Sequence, residues 1–394
     1  MRTFFILLLI ASSSWLLRAA SPPEKAVIHL AFYSAELSFD LHPQAFDHRL
    51  LHHEPRDIKH FLWALDQGRL HTLLHGLQTA KALLRLNDWL FLKLCRKALK
   101  KSYPDLSRAE QQAALCWMMA RSGYDARLVY DESGVEMIVR CGEKVYNATS
   151  VFLHRGGEGY LLPSSVGGQR QKNQLQYYLD YAPNPRGRAL SFVFDSWPLL
   201  PSDTIRQTFQ FTFEQADYRL HLHLPTGLRA LLFDYPVVES GMYWQTPMSP
   251  YLRDQLTGQL APLLAERSDR DALRLLLAFT RQAFSYRTDD TAYGFEKPFF
   301  AEEVFLHPHS DCEDRVALFY NLVRELLGFP MLVLEMPDHL TLAVAFAGGS
   351  GQYIRHRGQT YWLCDPTGPV SPNGSPILAP AYDSDDFRLL DSSR

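Results

Sequence analysis

A thiol, an imidazole and a carboxylate follow one another in the last third of this 394-residue chain. The segments read His309-Ser310-Asp311-Cys312-Glu313-Asp314-Arg315, then Pro337-Asp338-His339-Leu340, then Trp362-Leu363-Cys364-Asp365-Pro366-Thr367. Acyl transfer by cysteine needs a thiolate, a ring that takes and returns its proton, and a group that holds the ring's tautomer. Cys312, His339 and Asp365 are the candidates for these three roles. Ser310 and Glu313 have the S-x-x-E spacing of a capping box, which predicts Cys312 in the first turn of a helix. Unpaired N–H groups and the positive dipole end favour a thiolate there. Asp311, Glu313 and Asp314 oppose it, so an imidazolium neighbour is required to bring the thiol's pKa down.

The elements that must carry these groups are legible. Val316, Phe319, Leu322, Val323, Leu326 and Leu327 recur at helical spacing after Cys312, Gly328 suits the residue after the helix, and Pro330 prevents continuation. Strands are expected at 331–335, 339–346, 352–356 and 359–365. Alternation puts His339, Thr341, Ala343 and Ala345 on one face, a small-residue face that the preceding helix could approach closely. Asp365 then points away from Cys364, which demotes Cys364 as the nucleophile. The Cys312 backbone N–H is one expected oxyanion donor, and no second donor can be assigned.

Upstream, a helical segment at 250–267 and another at 269–284 precede an aromatic-rich loop at 288–308. Before them, Phe209, Phe211 and Phe213 alternate with polar residues, as do Tyr218, Leu220, Leu222 and Leu224. That period marks half-buried antiparallel strands, expected as a small sandwich or a sheet packed on a neighbour. His221 and His223 share its polar face and read as a solvated surface and not as a metal pair. Residues 26–165 read as helices followed by strands. A second capping box, Ser107-Arg108-Ala109-Glu110, opens a helix that Gly123 closes, with strands expected at 126–130, 135–141 and 144–148. The polar run 166–174 is a linker candidate. Both ends of the chain thus share one order of capped helix, glycine stop and antiparallel strands. Neither alignment of the two supplies a thiol opposite Cys312, so the N-terminal part is a candidate degenerate repeat that binds or scaffolds.

The resulting division is a leader at 1–21, an N-terminal α+β lobe at 22–165, a central β domain at 175–245 and a C-terminal domain at 250–394. Arg2, the apolar run Phe4–Leu17 and small residues before Pro22 form the layout of an export signal, so the expected location is the periplasm or cell envelope. No later segment is long and apolar enough to be expected to span a membrane. A net charge of −3 gives no electrostatic case for nucleic acid. Five cysteines at irregular spacing are too few for a disulfide framework.

The C-terminal segment resembles the transglutaminase-like superfamily, relatives of the papain-type cysteine peptidases. The resemblance rests on Cys312 at a helix start, Gly328-Phe329-Pro330 at its end, His339 opening a strand, and Tyr361-Trp362-Leu363-Cys364-Asp365-Pro366-Thr367 closing one. Phe284-Ser285-Tyr286 matches the aromatic strand before the active-site loop, and Asp311-Cys312-Glu313-Asp314-Arg315 is similar to a bacterial exported subgroup. It covers about Pro250 to Asp385. It implies a helix packed on an antiparallel sheet within an α+β chain, a Cys312–His339–Asp365 triad, and neither metal nor organic cofactor. Leu340 departs from the aromatic residue that often follows the histidine, and no upstream Trp or Gln stands out as an oxyanion donor.

The expected activity is that of a cysteine peptidase or amidase on a protein or peptide substrate. The alternative is an inactive envelope scaffold that binds polypeptide or glycan. The run His307-Pro308-His309-Ser310-Asp311 also has the H-x-H-x-D form of dinuclear zinc hydrolases, but Cys312 stands where that motif continues with His.

Overall fold

The computed structural model describes residues 26–42, 44–152, 159–167, 177–179, 184, 186–336, 339–368 and 387–390. The expected leader and most of the 166–174 linker lie outside them. A hairpin of β1 (Ala26–Phe32) and β2 (Ala35–Leu41) comes first, ahead of the helices expected to begin the lobe. Four helices follow: α1 (Pro55–Gln67), α2 (Leu70–Leu83), α3 (Asp88–Ser102) and α4 (Arg108–Arg121). The box that opens α4 is complete. Ser107 Oγ accepts from Glu110 N at 3.2 Å, and Glu110 Oε2 accepts from Ser107 N at 2.8 Å. Gly123 ends it at φ +95°, a backbone angle that a side chain would strain.

Helix α4 packs on a sheet of β3 (Ala126–Asp131), β4 (Gly134–Arg140), β5 (Thr149–Phe152), β6 (Gly159–Leu162) and β7 (Tyr177–Tyr178). Residues 144–148 form no strand, contrary to expectation. They run as a connector whose Val145 makes a single bridge to Val238, and β5 begins only at Thr149.

The alternating aromatic segment is one long hairpin, β8 (Thr204–Phe213) and β9 (Ala216–Pro225), and no sandwich. After α5 (Gly227–Phe233) and α6 (Gly241–Gln245) come α7 (Pro250–Leu264) and α8 (Asp269–Gln282), and the hairpin lies on these last two. Phe209 meets Phe284 and Phe305 at 5.3 Å between ring centroids, which anchors the apolar face. Three glutamines cap the strand edges. Gln259 accepts from His221 N and donates to His221 O, both at 2.9 Å. Gln255 does the same for His223 at 2.8 and 3.0 Å, and Gln282 for Thr212 at 3.0 and 2.9 Å. Such capping occupies N–H and C=O groups that would otherwise recruit another strand.

Then come β10 (Ser285–Tyr286), α9 (Asp289–Ala292), α10 (Ala301–Val304), β11 (His309–Ser310) and α11 (Cys312–Leu326). The final sheet holds β12 (Met331–Glu335), β13 (Leu340–Val344), β14 (Tyr353–His356), β15 (Gln359–Cys364) and β16 (Arg388–Leu390). Its order, β14-β15-β13-β12-β16, is that of the first sheet, β5-β6-β4-β3-β7, element for element. One contiguous apolar core joins the N-terminal helices, the hairpin, α7, α8, α11 and the inner face of the last sheet. No described helix is long and apolar enough to cross a membrane.

Where α10 meets α7, Glu302 is fully buried and accepts from Ser249 N at 2.9 Å and Ser249 Oγ at 2.8 Å. Burial pushes its carboxyl up to about 7 despite these bonds. Between its unfolded value of 4.5 and that folded value the native chain keeps a proton that the unfolded chain releases. This contribution to stability is therefore lost as pH rises through 7, by on the order of 2–3 kcal/mol. Glu302→Gln removes the titration, so melting temperatures at pH 5 and 8 should show the variant gaining on the wild type as pH rises. A constant offset between the two would defeat this assignment.

Candidate functional site

Cys312 lies in the first turn of α11, as expected, and is its first residue because the cap is set one residue later than the sequence suggests. Asp311 is the N-cap, and Asp314 Oδ2 accepts from Asp311 N at 3.1 Å. Ser310 instead belongs to β11, paired to Tyr286, and takes a hydrogen bond from Arg315 Nε at 3.2 Å. The thiol donates to Glu313 Oε2 at 3.0 Å. The backbone N–H of Leu340 is directed at the same sulfur, which ties it to the strand that follows His339.

Helix α11 lies on the face carrying Leu340, Leu342, Val344 and Cys364; Ala343 and Ala345 belong to a second cluster with Leu332, Leu334 and Tyr361. The expectation that the helix meets the small-residue face is thus corrected. Large side chains fill the space under the helix, and His339 escapes the alternation because it precedes β13. Asp365 likewise lies one residue beyond β15.

In the pairing of β13 with β15, Leu342 faces Cys364, and continuing that register sets His339 opposite Thr367. His339 Nε2 is 3.1 Å from Asp365 Oδ1 and 3.0 Å from Thr367 Oγ1. Asp365 Oδ1 also accepts from Thr367 N at 2.8 Å and Thr367 Oγ1 at 2.7 Å. Its carbonyl accepts from Arg281 Nε at 3.0 Å, and Asp365 is only 1% exposed. Thr367 fixes the carboxylate and Arg281 fixes its backbone, so the carboxylate can hold one ring nitrogen in a set orientation.

Cys312 and His339 line one cavity of about 600 Å³, together with Trp244, Tyr286, Asp289, Glu296, Asp311 and Glu313. Its electrostatics are acidic. Burial, then Glu313 and Asp289, push the Asp311 carboxyl up to about 8, and burial raises Asp289 to about 6. Asp314 is driven well above the carboxylate range by burial and by Asp311. Burial and then the Glu313 carboxylate push the Cys312 thiol far up, while the Leu340 N–H pulls the other way. The helix-terminus effect expected to favour a thiolate is outweighed in this resting arrangement.

Ligand atoms of Asp311, Cys312 and Glu313 lie within 4.8 Å of one another, as do those of Asp289, Glu296 and Glu313. Glu313 is common to both groups, and this oxygen-rich set is of the kind that holds a hard divalent cation. His307 and His309 belong to neither. His307 is buried and stacks on Phe299 at 4.5 Å, which leaves the H-x-H-x-D reading without its ligands.

Three residues of this site escaped the sequence reading. Thr367 follows from register once the strands pair. Arg281 is one of many arginines until α8 is placed beside the Asp365 turn. Trp244, 2% exposed, lines the cavity, and its indole N–H is buried with no hydrogen-bond partner. It is an upstream tryptophan of the kind the sequence reading did not single out.

The same positions in the first sheet carry different chemistry. Arg108 is the first residue of α4, as Cys312 is of α11. The register that sets Val139 opposite Leu161 sets Glu136 opposite Ser164, as His339 is opposite Thr367. Arg108 Nε donates to Glu136 Oε1 at 2.7 Å and Ser164 Oγ to Glu136 Oε2 at 2.8 Å. An ion pair stands there where the last sheet has thiol and imidazole.

No protein-family model matches this chain, and no curated protein or solved structure matches it significantly.

Proposed function

We propose that this protein is a transglutaminase-like cysteine peptidase or amidase that works through a Cys312 thioester. One observation carries the reading: an imidazole clamped at Nε2 by Asp365 and Thr367 shares a cavity with the sulfur at a helix start. In the reaction the Sγ–H proton passes to His339 Nδ1, and sulfur attacks the amide carbonyl carbon. The backbone N–H of Cys312 and the Trp244 indole N–H are the donors assigned to the oxyanion. The C–N bond then breaks, and the imidazolium protonates the departing amine. Water, deprotonated by the same ring, hydrolyses the thioester and restores the thiol.

Hydrolysis is the simpler assignment, because water needs no dedicated second site. The N-terminal lobe is read as a degenerate copy, with the Arg108–Glu136–Ser164 cluster in place of the reacting groups. Export to the cell envelope, and a protein or peptide substrate, belong to the same proposal.

A second reading has its own support. The Glu313 bond holds the thiol protonated, as expected of an inactive scaffold that keeps the fold. Alkylation by iodoacetamide, mapped by mass spectrometry over pH 5–10, separates the two. The enzyme reading expects pH-dependent labelling of Cys312 that falls at least tenfold in His339→Ala at pH 7. Labelling at the rate of an ordinary thiol, indifferent to His339, leaves the scaffold.

A further inference from the structure

A second cavity, larger than the one that holds Cys312, lies between the helical N-terminal lobe and the segment after β9. It has a volume of about 980 Å³. Trp89, Lys93 and Arg96 form one wall, spaced i, i+4, i+7 on a single face of α3; Thr149 stands on another, with Phe295 and Lys297 opposite.

Unpartnered donors gather there. Trp89 is 3% exposed and its indole N–H has no partner, and Thr149, 8% exposed, has an unpartnered hydroxyl. Nε and Nη2 of Arg96 are buried and equally without partners. The Glu136 carboxylate acts on Arg96 through space, but Arg108 and Ser164 take its oxygens. Lys93 is paired with Asp234, and Lys297 Nζ donates to Leu232 O at 3.1 Å. Two nitrogens of the half-buried Arg96 guanidinium are thus withdrawn from water without a hydrogen bond, which is costly. Such a group is chemically suited to pair with an arriving oxyanion.

We propose that this cleft binds a small organic anion whose carboxylate or phosphate head pairs with Arg96, beside the Trp89 N–H. Tyr146, Phe233 and Phe295 supply apolar surface for the ligand's body. Arg96 offers the planar fork that matches an oxyanion with two parallel bonds. The cleft also adjoins the thiol cavity. Along one extended segment Phe295 and Lys297 line the cleft, while Glu296 and Pro298 line the pocket of Cys312.

Melting curves and calorimetry on the whole protein test this without reference to turnover, so a failure of the thioester reading leaves the result intact. The probes are N-acetylphenylalanine, its neutral amide and phenyl phosphate. At least one of the two anions is expected to bind and raise the melting temperature, with the amide at least tenfold weaker. A response to one anion alone identifies the head. Arg96→Met should lose that binding tenfold or more, while the unliganded variant melts no lower than the wild type, because an unpaired cation has been removed. Absence of binding by both anions, equal binding of the amide, or retained binding in Arg96→Met overturns the proposal. So does a clearly lower melting temperature of the unliganded variant, which would reveal a structural partner for the guanidinium.

Discussion

Cys312→Ser is expected to abolish amide hydrolysis, by about a thousandfold or more, and to leave the fold intact. An alkoxide is far harder to form than a thiolate, and an imidazole matched to a thiol cannot compensate for that gap. Stability should hold, because the sulfur is only half-buried and its polar side-chain partner is the Glu313 carboxylate, to which a serine hydroxyl can also donate. Asp365→Asn should cost about tenfold to a hundredfold less than Cys312→Ser, because the residue orients the ring and accepts no proton. The bonds from Thr367 to position 365 and to the ring limit the damage. The check is steady-state hydrolysis of a peptide-amide library beside melting curves of each variant. Unfolding of Cys312→Ser, or undiminished hydrolysis by it, would sink the nucleophile assignment.

Glu313→Gln is expected to wake the thiol. The carboxylate 3.0 Å from Sγ stabilises the protonated form in two ways, by accepting its hydrogen bond and by repelling the thiolate. An amide of the same shape removes the charge and can donate an N–H to sulfur. The midpoint of thiol alkylation against pH should move down by about one unit or more, with about tenfold faster labelling at neutral pH. Neighbouring carboxyls respond in the same direction, because Glu313 also raises Asp311 and Asp314. An unchanged or higher midpoint would show that burial alone, and not this carboxylate, keeps the sulfur protonated.

These two substitutions probe opposite sides of one arrangement. The His339–Asp365–Thr367 group has the geometry of a prepared general base. The acidic ring around Cys312 restrains the nucleophile that such a base would serve. Substrate arrival that displaces Glu313, or charge neutralisation of the carboxyl cluster, would release the restraint.

Local patterns carried far in this chain. Helical spacing, the Gly328 stop at φ +68° and the Ser107–Glu110 box located α11 and α4 within a residue or two. Period-two alternation located β8 and β9, because one half-buried face leaves that trace in any sequence. The shared order of capped helix and strands was legible in the same way, and the two sheets do have one strand order.

Tertiary structure decided what spacing leaves degenerate. Around Cys312 both Ser310-x-x-Glu313 and Asp311-x-x-Asp314 satisfy the capping rule, and pairing of Ser310 into β11 selects the second. That one-residue choice turns Glu313 from a cap into the acceptor of the thiol. The helix-bearing face of β13, the approach of Trp244 and the meeting of Thr367 with His339 depend on register and packing across distant segments. Unpaired buried groups such as Arg96 are invisible in sequence, because a missing partner is a property of three-dimensional neighbours and not of any residue's type or spacing.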